Sequence, residues 1–284
     1  MKLFKRLYIH PSLPILFGLA ILFDFFQQLM LVYIIVMIHE SAHLFTALFF
    51  RIKLKQIEIL PFGVSMLLDA HYIKNPKHEI IVVAAGPLSN MIVSFVFLLL
   101  VQNRLINSDI GWFIITASNM LALLNILPAL PLDGGRILKA ALTMRWGFVK
   151  AFNFTMMLTK IMIVLLAIGG CLLLVYTHFN FSLFLICAFL IVNIVAERRS
   201  GSMMIMRDIL YSKEKLDTGI ARVSNIAAMY DKPARKLLKS FGYNHYYMVD
   251  VIDEKMRYMG TLTETQIIDG LINKGTRAKI YELM

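Results

Sequence analysis

The sequence predicts a polytopic α-helical membrane protein that ends in a small α/β domain. Three observations carry this. Hydrophobic residues make up 58% of the chain and mean hydropathy is +0.69, above the roughly 45–50% apolar content of soluble domains. Six apolar runs approach the length of about twenty residues that a spanning helix needs. After Arg199 the composition turns mixed, and no run long enough to span follows.

The runs are residues 11–26, 29–50, 79–101, 110–127, 154–177 and 179–196. The first follows the basic stretch "MKLFKR" without a small-x-small cleavage site, so it reads as a retained signal anchor. It is short, and Asp24, Gln27 and Gln28 predict a tight hairpin into the second run. "RIKLKQIEILPFGVSMLLDAHYIKNPKHE" joins the second run to the third. "KQIEIL" alternates polar and apolar and "GVSMLL" suits a strand, which predicts a short hairpin at the membrane. Its segment 56–70 offers an edge for strand addition. The fourth run ends in "NILPALPLDGGR", Asn125 to Arg136. Pro128 and Pro131 break its helix, and Gly134 with Gly135 predicts a tight turn. "YTHFNF" separates the fifth and sixth runs, and Glu197 to Arg199 reads as the interfacial end of the last helix. The Met-rich stretches "MMLTKIM" and "MMIMRD" read as adaptable packing. This gives a membrane domain at 1–198, a polar linker at 199–218 and a soluble domain at 219–284.

The formal net charge is +11, but in a membrane protein the placement of charge matters more than its sum. One set of connections holds Lys2, Lys5, Arg6, Arg51, Lys53, Lys55, Lys74, Lys77, Arg136, Lys139, Arg145, Lys150, Arg198 and Arg199. The opposite set holds only Arg104. This asymmetry places both termini in the cytoplasm and gives no case for direct nucleic-acid binding. The two cysteines, Cys171 and Cys187, both lie in apolar runs, which argues against a disulfide framework or a cysteine metal cluster.

The second run carries His39, Glu40 and His43 at its centre. Each ionisable group at that depth costs roughly 2.5–3.5 kcal/mol on insertion scales, so three within five residues point to use. His39 and His43 lie one helical turn apart and project from one face. Two imidazole nitrogens on one face can share a tetrahedral Zn²⁺. Glu40 is then placed to take a proton from a water that the metal acidifies and to pass it to a leaving amine. This is the H-E-x-x-H arrangement of zinc peptidases. A catalytic zinc usually takes a third protein ligand, and the best candidate is Asp133. His71 and His78 read as solvated loop side chains rather than further ligands. A metal transporter and a non-catalytic membrane chaperone or receptor are the alternatives. No internal repeat of the transporter kind is found, and an intact Glu40 favours catalysis.

"HESAH" and "PLDGG" together resemble the site-2 protease family of intramembrane zinc metalloproteases. That family pairs H-E-x-x-H in one transmembrane helix with an aspartate in a P-x-D-G segment of a later one. "AAGPLSN", Ala84 to Asn90, is similar to the family's A-G-P segment. The resemblance covers roughly residues 30–140, and the helix count extends it to about 196. Within the family the chain looks most like the sporulation branch. It shares a short basic N-terminus, six runs, no PDZ-like insertion between the motifs, and a C-terminal domain of similar size. "LPFG" and "NILPALPLDGG" are similar to that branch as well.

The resemblance implies zinc as cofactor, with His39, His43 and Asp133 as ligands and Glu40 as general base. It implies that Asn125, Pro128 and Pro131 line the substrate cleft, Asn125 hydrogen-bonding an extended substrate. For the sporulation branch it implies a membrane-associated sigma-factor precursor as substrate, membrane inhibitor proteins as partners, and the membrane around the forespore as location.

Tyr246 to Met284 resembles a single CBS motif, reading strand, turn, strand and helix. "GTLTETQ", Gly260 to Gln266, is close to the G-x-x-[ST]-x-x-[DN] stretch that grips ribose and phosphate, which implies ATP or another adenine nucleotide. Gln266 departs from that pattern. A single CBS motif pairs with a second one, so the resemblance also implies a homo-oligomer.

Overall fold

The computed structural model describes residues 7–9, 13–52, 54–60, 63–68, 76–177, 183–194, 197, 222–241, 245–275 and 278–284. The expected linker at 199–218, His71, Arg198 and Arg199 lie outside the described residues. Four helices are long and apolar enough to cross a membrane: α2 (Phe26–Phe49), α3 (Pro76–Gln102), α4 (Ser108–Ile126) and α6 (Phe148–Thr177). The first and last expected spans are shorter helices, α1 (Leu13–Leu22) and α7 (Leu183–Ile194). At 1.5 Å per residue, the 10 residues of α1 cover about half of a ~30 Å hydrocarbon core.

The chain divides into two compact units, residues 1–138 and 139–284. In the first, α1 turns into α2 at Asp24, whose φ is 62°. Asx residues tolerate this left-handed backbone better than most. Gln27 and Gln28, expected in that turn, instead lie in the first turn of α2. After α2 comes the expected hairpin, β2 (Leu54–Leu60) and β3 (Gly63–Leu68), antiparallel with Leu60 opposite Gly63. A short strand, β1 (Leu7–Ile9), pairs parallel with β2, so the sheet order is β1-β2-β3. The sequence reading did not foresee β1.

Burial explains why α2, α3 and α4 associate. The buried residues of α2 include Ile35, His39, His43 and Ala47, one every four positions. Those of α3 include Val82, Gly86, Asn90 and Ser94, again one every four. On α4 they are Gly111, Ile114, Ile115, Ser118 and Ala122. The inward stripes are therefore rich in small and polar residues, with Ile35, Ile114 and Ile115 among them. Large apolar side chains such as Met37, Phe45, Phe49, Phe95 and Leu123 face outward. Lipid is as apolar as leucine, so helices in a bilayer gain by close approach and polar contact rather than by hiding hydrocarbon.

α4 ends at Ile126 and α5 (Asp133–Trp146) begins at Asp133. Pro128 and Pro131 fall in the gap, as expected of residues that cannot continue a helix. Gly134 and Gly135 do not form the predicted turn. They are helical, and a Cβ on either would strike the backbone of the preceding loop, at Ile126 and Leu127 or at Ala129 and Leu130. Their smallness lets α5 start tight against that loop. His78, expected in a loop, lies in the first turn of α3 with its ring stacked on Phe50 at 4.3 Å.

The second unit holds α6, α7 and a C-terminal sheet. On α6, Thr155 and Thr159 are fully buried, and each hydroxyl donates to the carbonyl four residues back. The sheet has the order β4-β5-β6. β4 (Arg222–Met229) runs parallel to β5 (His245–Ile252), and β6 (Tyr258–Thr263) runs antiparallel to it. In the turn between them Asp253 accepts bonds from the backbone N–H of Arg257 and Lys255 and from the Arg257 guanidinium. The backbone bond from Arg257, with these others, holds its carboxyl below the usual range. α8 (Glu264–Lys274) follows directly.

Tyr247, Val249 and Val251 alternate inward on β5, and Ala234, Leu237, Leu262, Ile267, Leu271 and Ile280 complete the core. Gln266 closes a capping box: Thr263 Oγ1 accepts from Gln266 N, and Gln266 Oε1 accepts from Thr263 N. The residue that departs from the nucleotide-gripping pattern therefore serves the start of α8. Replacing Ile267, which is fully buried, by Ala is expected to cost this domain about 2–5 kcal/mol. Thermal proteolysis of the purified chain should show the C-terminal segment cut at lower temperature, with zinc content unchanged.

Candidate metal centre

His39, His43 and Asp133 meet inside the first unit and are all buried. α2 supplies the two imidazoles from one face. Asp133 is the first residue of α5, where the positive end of the helix dipole favours a carboxylate. His39 Nε2 and His43 Nε2 lie 3.2 Å apart, and Asp133 Oδ2 is 3.2 Å from the first and 3.3 Å from the second. The three atoms form a nearly equilateral triangle. Ligands bonded at about 2.0–2.1 Å in a tetrahedron stand about 3.3–3.4 Å from one another. The triangle is thus the size of one face of a zinc coordination shell.

The donor chemistry agrees. Asp133 Oδ2 is buried and, despite its closeness to both rings, makes no well-directed hydrogen bond among the described residues. Three such atoms crowded away from water can all present lone pairs only if a cation sits among them. Imidazole with carboxylate is a donor set that zinc takes readily.

The third contributor is α3, to which sequence reasoning gave no role at the site. Nδ1 of His43 lies 2.8 Å from the carbonyl oxygen of Val82. A carbonyl can only accept, so Nδ1 carries the ring proton and the Nε2 lone pair is left for the metal. One turn on, Gly86 leaves the space the rings occupy. A Cβ there would overlap the His43 ring and stand 2.7 Å from Cε1 of His39. A further turn on, Asn90 reaches His39 at 3.0 Å. Gly86 and Asn90 stand within the quoted "AAGPLSN", but nothing in that string says which atoms they meet. The available signal was an amide four residues from a glycine in a long apolar helix, where polar groups are seldom idle.

Gly86→Ala is expected to push both imidazoles out of position. Zinc retention against a graded series of chelators should fall at least tenfold, the lower end of what disturbed ligand orientation costs.

Glu40 is half-buried on the same helix, next to His39. Asn125 is half-buried in the last turn of α4 and donates Nδ2 to the carbonyl of Leu121 at 3.1 Å. Pro128 and Pro131 are half-buried in the loop that delivers Asp133.

The family model for peptidase family M50 matches residues 27–107 and 100–169, half of the chain. The chain belongs to peptidase family M50. It is an integral membrane protein and a zinc metalloprotease of the site-2 type. Among its relatives is stage IV sporulation protein FB of Bacillus subtilis, 24% identical over 100% of this chain and 98% of that protein. The zinc metalloprotease MJ0392 of Methanocaldococcus jannaschii is 31% identical over 49% of this chain and 41% of its own length. The solved site-2 protease from Methanocaldococcus jannaschii matches with a TM-score of 0.53 and 27% identity, over 67% of this chain and 89% of that one.

Proposed function

We propose that this M50 protease cuts a membrane-associated protein near the cytoplasmic face, and that its substrate is a sigma-factor precursor during sporulation. The observation that carries the catalytic part is the triangle of Nε2, Nε2 and Oδ2 atoms, 3.2–3.3 Å on a side, inside a lipid-facing bundle. End-to-end similarity to a sporulation protein supports the biological setting.

In this reading His39, His43 and Asp133 hold the zinc. When bound, it supplies Lewis acidity at the scissile carbonyl and to the attacking water. Glu40 would take a proton of that water as its oxygen adds to the scissile carbonyl carbon, and would then deliver the proton to the amine nitrogen as the peptide C–N bond breaks. Val82 holds His43 in the ligating tautomer. Asn125, Pro128 and Pro131 line the cleft that receives the substrate. Among the described residues the outer edge of β3 pairs with no strand, and an extended substrate adds there by main-chain hydrogen bonds.

The membrane domain spans 1–198 and the domain at 219–284 is joined to it by the linker at 199–218. Both termini face the cytoplasm, and the protein sits in the membrane around the forespore. Membrane inhibitor proteins silence it, and the C-terminal domain serves self-association and docking. Gln266, committed to the α8 cap, gives no support to adenine nucleotide binding there.

Co-expression with membrane-tethered sigma-factor precursors from a sporulating bacterium tests the reading. Wild type should shorten a precursor, and chelation of zinc in isolated membranes should stop it. Zinc-loaded wild type that leaves every precursor intact in the absence of inhibitors would overturn the substrate assignment.

A further inference from the structure

Val82 fixes the tautomer of His43, but among the described residues no backbone carbonyl takes that role for His39. Its Nδ1 faces Asn90, which is fully buried on α3. The amide nitrogen of Asn90 lies 3.0 Å from Nδ1, while its Oδ1 is buried with no hydrogen-bond partner among the described residues. Two features of this arrangement conflict with zinc binding. An amide N–H donating to Nδ1 requires a lone pair there, which puts the ring proton on Nε2. That proton would point among the three atoms that must all offer lone pairs. The arrangement also leaves a buried carbonyl oxygen unsatisfied, which folded proteins rarely accept.

One half-turn of the amide removes the first conflict and gives the carbonyl oxygen a donor in the ring, while the NH₂ moves to the place the oxygen leaves. The terminal Asn torsion is broad and roughly two-fold, and oxygen and nitrogen occupy nearly equivalent positions after it. We propose that Asn90 is a positioning residue whose carbonyl oxygen accepts the Nδ1 proton of His39, so that the ring presents Nε2 to zinc. The proposal rests on the zinc reading above. With it, α3 orients both histidines, through Val82 and, two turns on, Asn90. Gly86 makes room for the rings between them. Histidine ligands commonly donate their second nitrogen to a carboxylate or carbonyl in this way.

Two variants of the purified full-length chain separate acceptor from donor and from mere packing. Asn90→Asp keeps the accepting oxygen and removes the nitrogen, so the outcome does not depend on what the turned NH₂ meets. Asn90→Leu keeps the branched four-atom skeleton, with bulkier ends, and removes both. Zinc is titrated out with graded chelators, and the visible spectrum of the Co²⁺-substituted protein reports ligand geometry. Asn90→Leu is expected to hold zinc about 10–100-fold more weakly than wild type, with a shifted Co²⁺ spectrum. Asn90→Asp is expected to stay within about threefold of wild type, short of the ~10–100-fold cost of a lost orienting partner.

Wild-type zinc affinity in Asn90→Leu would overturn the proposal. So would an Asn90→Asp protein that folds but loses zinc as badly as Asn90→Leu, because that is the pattern of a required donor. If Asn90→Leu fails to fold, Asn90→Asp alone decides. Failure of the zinc reading itself would look different, since wild type would then bind no metal.

Discussion

Glu40→Gln is expected to lower precursor cleavage by about 10²–10⁴-fold, the range contributed by a positioned proton carrier. The amide matches the carboxylate in size and sits on the same half-buried face of α2. It cannot take a proton from water or return one to the amine. The three candidate ligand atoms lie on His39, His43 and Asp133, so on the proposed assignment the zinc content of this variant should equal that of wild type. Immunoblots of the co-expressed precursor read the first quantity and metal analysis of the purified protein reads the second. Residual cleavage within about tenfold of wild type would remove Glu40 as the proton carrier. A transporter built on the same ligands would be little affected.

Asp133→Asn is expected to lower zinc affinity by more than the ~100-fold upper range of lost orienting partners, because a ligand itself is altered. The substitution keeps the shape of the side chain at the start of α5. It removes the negative charge that the cation offsets and replaces a carboxylate oxygen by a weaker donor. Cleavage should fall with zinc occupancy and recover in part at high zinc. Glu40→Gln should show no such recovery. Competition with a chromogenic chelator gives the affinity, and a zinc titration of cleavage gives the recovery. Zinc binding unchanged in Asp133→Asn would return the third ligand to an unidentified group.

Much of this site was legible before the fold was known, for a physical reason. Two histidines and a glutamate in a run of lipid-soluble residues are conspicuous because they are costly there. Their four-residue spacing fixes a common helix face without any tertiary information. Asp133 was legible because prolines and glycines interrupt a span just before it. Gly86 and the Val82 carbonyl were not, because their contribution is an absence of atoms and a backbone group. Neither has a side-chain signature. Gly134 and Gly135 were read as a turn because composition alone does not distinguish a glycine that bends the chain from one that admits a neighbour.

In the C-terminal domain, β5, β6 and α8 follow the expected order of strand, turn, strand and helix. β4 escaped notice because a parallel partner is paired through residues distant in sequence, with no hairpin turn to announce it.

The order in which the ligands appear along the chain has a consequence for biogenesis. His39 and His43 enter the membrane early, on α2. The void that accepts their rings exists only after α3 docks Gly86 beside them, and Asp133 arrives only once α4 has returned and α5 has begun. A nascent chain therefore holds an incomplete pair of donors through much of its insertion, and its grip on metal tightens at the step that closes the bundle. With the proposed ligand set, metal loading would report that assembly is complete. Molecules made under zinc starvation should remain ajar at the α4–α5 junction and be cleared by quality-control proteases before they can reach a substrate.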